Sequence, residues 1–182
     1  TLYSGLPISA YAAISQSGII IKELDVYVES KPVWFFRKWK EVAHLQKHQS
    51  FYGMKDNLET GYPKNNSARA LLIKFIYFFT RFIHSDSSIL LVEKLQFLFF
   101  SKNKITQSYL KLLKEDQPSH LFFTHQRPPF LAPFLYAAQQ QKIPTSTFIF
   151  SWDNLASKGR MLGTFDYFLV WSHLMQSELL YF

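Results

Sequence analysis

The chain has 182 residues, 48% of them apolar, 18% aromatic and 18% charged, which provides one domain with a sizeable core and excludes a disordered tail. A formal net charge of +7 favours anionic partners: nucleotide-sugars, nucleic acid or the acidic face of a membrane. Cysteine is absent, which removes disulfides, thiolate nucleophiles and Cys-ligated zinc and suits a reducing compartment such as the cytoplasm.

In chain order, Thr1 to Gln16 reads as a helix with Leu2, Leu6, Ala10, Ala13 and Ile14 on one face, and Gly18 ends it. Ile19 to Val28 is expected as a strand, with Leu24, Val26 and Val28 alternating against Glu23, Asp25 and Tyr27. Lys31-Pro32 leads into a helix from Val33 to Gln49, apolar at Phe35, Trp39, Val42 and Leu45 and crowded with Arg37, Lys38, Lys40, Lys47 and His48 elsewhere. Residues 51–67 hold Gly53, Gly61 and Pro63 without periodicity and read as a long loop.

Residues 68–116 read as a helical insertion. Ala68 to His84 is its most apolar helix, punctuated by Arg69, Lys74 and Arg81, too charged to span a bilayer. Two readings of it stand open: a helix that packs on the domain, or one that lies in a membrane interface with its cations reaching the headgroups. Ser85 to Ser88 gives a turn and cap for a helix from Ile89 to Phe100, and Ile105 to Lys114 forms a shorter amphipathic one. The 19 phenylalanines follow helical patterns rather than interleaving with charge on strands, so nucleic acid is not expected as a partner.

Residues 121–182 form the best-defined part. An apolar run from Leu121 to Thr124 ends in His125-Gln126-Arg127-Pro128-Pro129. A helical pattern follows with Phe130, Leu131, Phe134, Leu135 and Ala138 on one face. Pro144 stops it, and Thr145 to Phe150 is a second apolar run ending in Ser151-Trp152-Asp153-Asn154. Strand, helix and strand at this spacing make a βαβ unit with parallel strands, so both polar clusters lie at the carboxyl ends, where open parallel sheets bind ligands. After a connection turning at Gly163, Tyr167 to Trp171 is expected as a third, buried strand, and Ser172 caps a helix carrying Leu174, Met175 and Leu179. The whole is expected to be an α/β domain with an open parallel Rossmann-like sheet flanked by helices.

Among the residues able to do chemistry, His125 is the candidate general base, against an ordinary turn role. Arg127 can grip a phosphate or carboxylate bidentately, with Gln126 beside it. Trp152 offers a flat face for a sugar ring, next to Ser151. Asp153 and Asn154 are candidates to orient a substrate or to cap the next helix. Ser157-Lys158-Gly159 can form an anion-binding turn but lacks P-loop spacing. His44 and His48 stand four apart on a helix without an evident third ligand, so no metal site is expected, and nothing in the sequence requires a cofactor.

The run Phe148-Ile149-Phe150-Ser151-Trp152-Asp153-Asn154-Leu155-Ala156-Ser157-Lys158-Gly159, followed by Phe165-Asp166-Tyr167-Phe168-Leu169-Val170-Trp171-Ser172, resembles bacterial surface-polysaccharide glycosyltransferases of the GT-B type. It is also similar to the related CDP-glycerol glycerophosphotransferases. The resemblance covers residues 121–182. It implies the N-terminal, acceptor-side domain of a two-domain enzyme, cut at both ends and inactive alone, with the donor held by a second domain. The reaction implied is transfer of a sugar, or a polyol phosphate, from a nucleotide-activated sugar or CDP-glycerol to a glycan or lipid-linked acceptor. His125 and Asp153 would be catalytic, and Gln126, Arg127, Ser151, Trp152, Asn154 and Lys158 would bind substrate, on the cytoplasmic side and at the inner face of the membrane. In that family a strand and a glycine turn precede the first helix, and the reading of Thr1 to Gln16 as helix leaves them missing. The alternatives are a non-catalytic anion- or nucleotide-binding α/β module and half of a UDP-sugar epimerase.

Overall fold

The computed structural model describes residues 1–11, 18–151, 153–158 and 160–182, with backbone alone at Ile8, Asp153 and Asn154. The domain is α/β, and its strands are parallel, but they form two small sheets rather than the single open sheet expected. In the first, β1 (Leu2–Ser4) pairs with β2 (Ile21–Glu23), Leu2 opposite Ile21. The second has the order β3 (Leu121–Phe123), β4 (Thr145–Phe148), β5 (Tyr167–Leu169). Between the sheets a cavity of about 710 Å³ separates Leu2 and Tyr3 from Leu121, Phe122 and Phe123. Side chains bridge it where backbone does not. The Tyr3 ring packs on Phe134, its hydroxyl donates to Asp116 at 2.7 Å, and Lys22 pairs with the same carboxylate.

The first correction lies at the N-terminus. Leu2 to Ser4 is a strand, not the start of a helix, because its backbone pairs across the sheet: Leu2 N–H donates to Ile20 O and Leu24 N–H to Ser4 O, each at 2.7 Å. Gly5 follows it and a 3₁₀ turn covers Ile8–Tyr11. Residues 12–17, which include the end of the expected helix, lie outside the described residues. Gly18 takes a left-handed φ of 74°, a conformation open to glycine without a Cβ penalty. The expected strand from Ile19 to Val28 is shorter than its alternation suggests. It ends at Glu23, and Val26 and Val28 are exposed.

The helices follow the apolar periodicity more closely. They are α1 (Lys31–Lys47), α2 (Tyr52–Thr60), α3 (Ala68–Thr80), α4 (Asp86–Ser101) and α5 (Lys104–Asp116). Ser67, Ser85 and Asn103 cap α3, α4 and α5 by accepting first-turn N–H groups, which otherwise lack partners. α2 corrects the expected loop at residues 51–67. Its sequence carries a glycine and buries only Met54, so it shows no apolar stripe. Tertiary contact makes it a helix. It packs on α7 (Asp153–Ser157), where a Cβ on Gly53 would lie 2.6 Å from that of Ser157, and Asn57 donates to the Ser157 carbonyl.

α6 (Ala132–Gln140) is the crossover of the βαβ unit and is buried from Ala132 to Ala138. The stretch before it, Pro129–Leu131, is a 3₁₀ turn, which turns Phe130 outward instead of onto the expected inner face. β4 is the central strand, and its buried Thr145, Ser146 and Thr147 are satisfied by hydrogen bonds. Thr147 Oγ1 donates to Phe123 O at 3.0 Å, and the Asp166 carboxylate accepts from both Thr145 N–H and Oγ1 at 2.8 Å. The Thr145 hydroxyl and N–H hold the Asp166 carboxyl below the usual carboxylate range. β5 is not the buried strand expected. It is an edge strand, with Tyr167 and Leu169 exposed. α8 (His173–Tyr181) is capped by Ser172 and anchored by Met175, while Leu174 is exposed.

Candidate functional site

β3 and β4 are neighbours and parallel, so the segments that leave them emerge on one edge of the sheet. His125 is exposed at that edge, two residues beyond β3. Its Nδ1 lies 3.0 Å from Thr124 Oγ1, and its ring lies parallel to that of Phe150 beyond β4. His125 borders a cleft of about 470 Å³ that is also lined by Ser4 at the end of β1 and Gly5 after it, and by Leu24 and Asp25 after β2. The carboxyl ends of β1, β2 and β3 therefore border one hollow, and it is at the carboxyl ends of parallel strands that α/β sheets receive ligands. His125 and Asp25 line it among apolar residues, so it can hold a hydroxyl compound whose proton the imidazole accepts. Sequence reading missed Asp25 because it placed that residue inside a strand. The usable signal was its position just past a short strand's exit.

The next residues point elsewhere. Gln126 is buried, its carbonyl accepting from Leu162 N–H at 3.0 Å and its Nε2 without a hydrogen-bond partner. Arg127 lines two smaller hollows of about 280 and 290 Å³, together with Arg160 and Met161. The first is completed by Arg37, Lys40 and Gln96, and the second by His44, Lys158 and Phe182. His125 and Arg127 thus serve different hollows. Lys158, exposed, borders the second hollow with Arg127, and Ser151 is half-buried. Trp152 and Gly159 lie outside the described residues. Asp153 and Asn154 open α7, whose backbone follows the β4 exit.

The Arg127 hollows rest on a buried charge group that the sequence did not reveal. Lys40 is 2% exposed, and its Nζ lies 3.3 Å from Oε2 of Glu93, which also faces Arg160 Nε at 3.5 Å. Burial lowers the Lys40 ammonium pKa, with Glu93 opposing that shift. Gln96 is likewise buried, with Oε1 unpartnered. In the sequence Lys40 is simply one of the charges off the apolar positions of α1. Only the packing of α4 across α1 puts Lys40 inside.

His44 and His48 pack their rings 4.7 Å apart and against Phe182, forming an aromatic cluster. Burial first, then the His48, Arg160 and Arg127 charges, pushes His44 down to about 3, so its imidazole is neutral near pH 7. Among the described residues, no three of His, Asp and Glu are grouped to hold a metal ion. Compared with known proteins, the chain matches no family model, no curated protein and no solved structure.

Proposed function

We propose that this chain is the acceptor-side domain of a two-domain, GT-B type transferase, acting on the cytoplasmic side. The donor is a nucleotide-activated sugar or CDP-glycerol, held chiefly by the second domain, and the acceptor is a glycan or a lipid-linked glycan. The observation that carries this reading is His125, exposed at the carboxyl edge in a cleft bounded by the exits of β1, β2 and β3. The strand and Gly5 at the N-terminus add support, since the resembled enzymes begin that way.

In this mechanism His125 removes the proton of the acceptor hydroxyl as its oxygen attacks the donor carbon, or the phosphorus of glycerol phosphate. The bond to the nucleotide breaks and its phosphate leaves with the electron pair. Asp25 lines the same cleft, and in this reading its charge stabilises the imidazolium that forms. Asp153 keeps its proposed role of orienting the acceptor.

The test is transfer of labelled sugar or glycerol phosphate by the two-domain protein. His125→Ala should lower kcat by roughly a hundredfold to ten-thousandfold, the span of general-base loss, with donor affinity little changed. Unchanged turnover ends the proposal, as does multiple turnover by residues 1–182 alone. A second reading, a non-catalytic anion-binding module, is favoured by Arg127, Arg160 and Lys158 around one hollow. Phosphate binding lost in Arg160→Ala, with no transfer activity under any donor, would select it.

A further inference from the structure

Exposed apolar side chains gather on α3 and α4, on residues that line none of the hollows described above. On α3, Phe75, Phe78 and Phe82 just beyond its end are 46%, 59% and 74% exposed, and on α4, Leu91, Leu98 and Phe99 are 59%, 61% and 40% exposed. Single exposed leucines are ordinary, but a contiguous patch of this kind marks a surface that meets something apolar. The two helices both pack on α1, and the rings make the patch continuous. Phe78 touches Phe79, Phe79 stacks on Trp39, Trp39 meets Phe35, Phe35 meets Phe36, and Phe36 stacks on Phe99, with centroids 5.3 to 6.5 Å apart throughout. The four intermediate rings are half-buried, Phe35 and Trp39 against the small core of Val42, Ile76 and Tyr77, so the chain of contacts links the exposed rings of one helix to those of the other.

Exposed cations outnumber exposed carboxylates on these two helices. Arg69, Arg81, Lys94 and Lys102 are exposed on or beside these helices. Their two carboxylates are both engaged: Asp86 pairs with Lys47 at 2.5 Å, and Glu93 is buried against Lys40. The Arg69 guanidinium lies 5.0 Å from the Trp34 ring centroid, so even this cation sits beside an aromatic face. No helix among the described residues is long and apolar enough to cross a membrane, and α3 has only 13 residues. Apolar rings flanked by cations on short helices suit a surface with an apolar interior and anionic headgroups.

We infer that the α3–α4 face docks on an anionic lipid bilayer, lying in the headgroup plane with Phe78, Phe82 and Leu98 inserted and Arg81, Lys94 and Lys102 on lipid phosphates. The inference rests on this surface and does not depend on the transferase reading. It places the domain where a lipid-borne molecule diffuses in two dimensions.

Co-sedimentation with vesicles of phosphatidylcholine alone, and of phosphatidylcholine mixed with phosphatidylglycerol, tests it at low and high salt. The protein should bind the anionic vesicles and release them as salt screens the cations. Phe78→Ser/Phe82→Ser should weaken binding by about tenfold or more through lost insertion. Arg81→Glu/Lys94→Glu should weaken it by a similar factor on anionic vesicles only. Circular dichroism and an unchanged melting temperature certify that these exposed substitutions leave the fold intact. No binding overturns the inference, as does equal and salt-independent binding to both vesicles. So does a concentration-dependent dimer that Phe78→Ser/Phe82→Ser abolishes while vesicle binding is absent, which would make the face a contact between copies.

Discussion

The imidazole of His125 lies nearly parallel to the ring of Phe150, with centroids 6.2 Å apart and planes 15° apart. One residue follows β3 and the other follows β4, so this contact ties together the two strand exits at the candidate site. It also limits how far an otherwise exposed histidine swings. Phe150→Ala removes that guide while leaving the Thr124 contact. Because Phe150 is itself 65% exposed, stability should stay within about 0.5 kcal/mol in urea melts. Transfer activity should fall, by less than His125→Ala produces.

The buried ion pair predicts an asymmetry. Glu93 faces both Lys40 and Arg160, so Glu93→Gln leaves two cations without their carboxylate and should cost about 3 to 5 kcal/mol. Lys40→Met leaves Glu93 with Arg160 and should cost clearly less. The double variant Lys40→Met/Glu93→Gln should recover part of the loss, because the buried ammonium is gone. Urea midpoints of the three variants check this, and equal losses for both single variants would contradict it.

His44 makes stability depend on acid. Its pKa falls from an ordinary 6.5 to about 3 in the folded chain, mainly through burial. Between those values the unfolded chain binds a proton that the folded chain refuses, so stability falls as pH drops from about 6.5 toward 3. The His48 pKa is lowered by burial as well and acts in the same direction. His44→Phe should flatten this slope, making the variant relatively more stable than the parent at pH 5 than at pH 7. Urea midpoints across that range measure it, and parallel profiles would remove His44 as the cause.

Gly53 sets the distance between α2 and α7. A methyl there would lie 2.6 Å from Ser157 Cβ and 2.8 Å from its Cα, so one helix must move. Gly53→Ala should cost about 1 to 3 kcal/mol, the usual range for overpacking. Gly5→Ala, whose Cβ meets nothing within 4 Å, should change stability by no more than about 0.5 kcal/mol. The same displacement of α7 should reduce activity, since that helix carries Asp153 and leads to Lys158.

What the sequence by itself determined was the part of the fold written in local patterns. The 3.6-residue periodicity and the caps at Ser85 and Ser172 located most helices. Two apolar runs separated by one helix specified parallel strands with His125 at an exit. Tertiary structure alone decided the rest. Leu2–Ser4 carries too little alternation to be read as a strand and became legible only through its partner at Ile21–Glu23. α2 lacks an apolar stripe and exists because α7 is there to receive Gly53. The charges of α1 look alike in one dimension. Which of them is buried depends on where α4 crosses, and this puts Lys40 against Glu93 while Lys38 stays near the surface, paired with Glu41 at 2.7 Å. Periodicity reports which face of an element is apolar. Only packing reports what that face meets, and here it joins the rings of α3, α1 and α4 into one surface and divides His125 from Arg127.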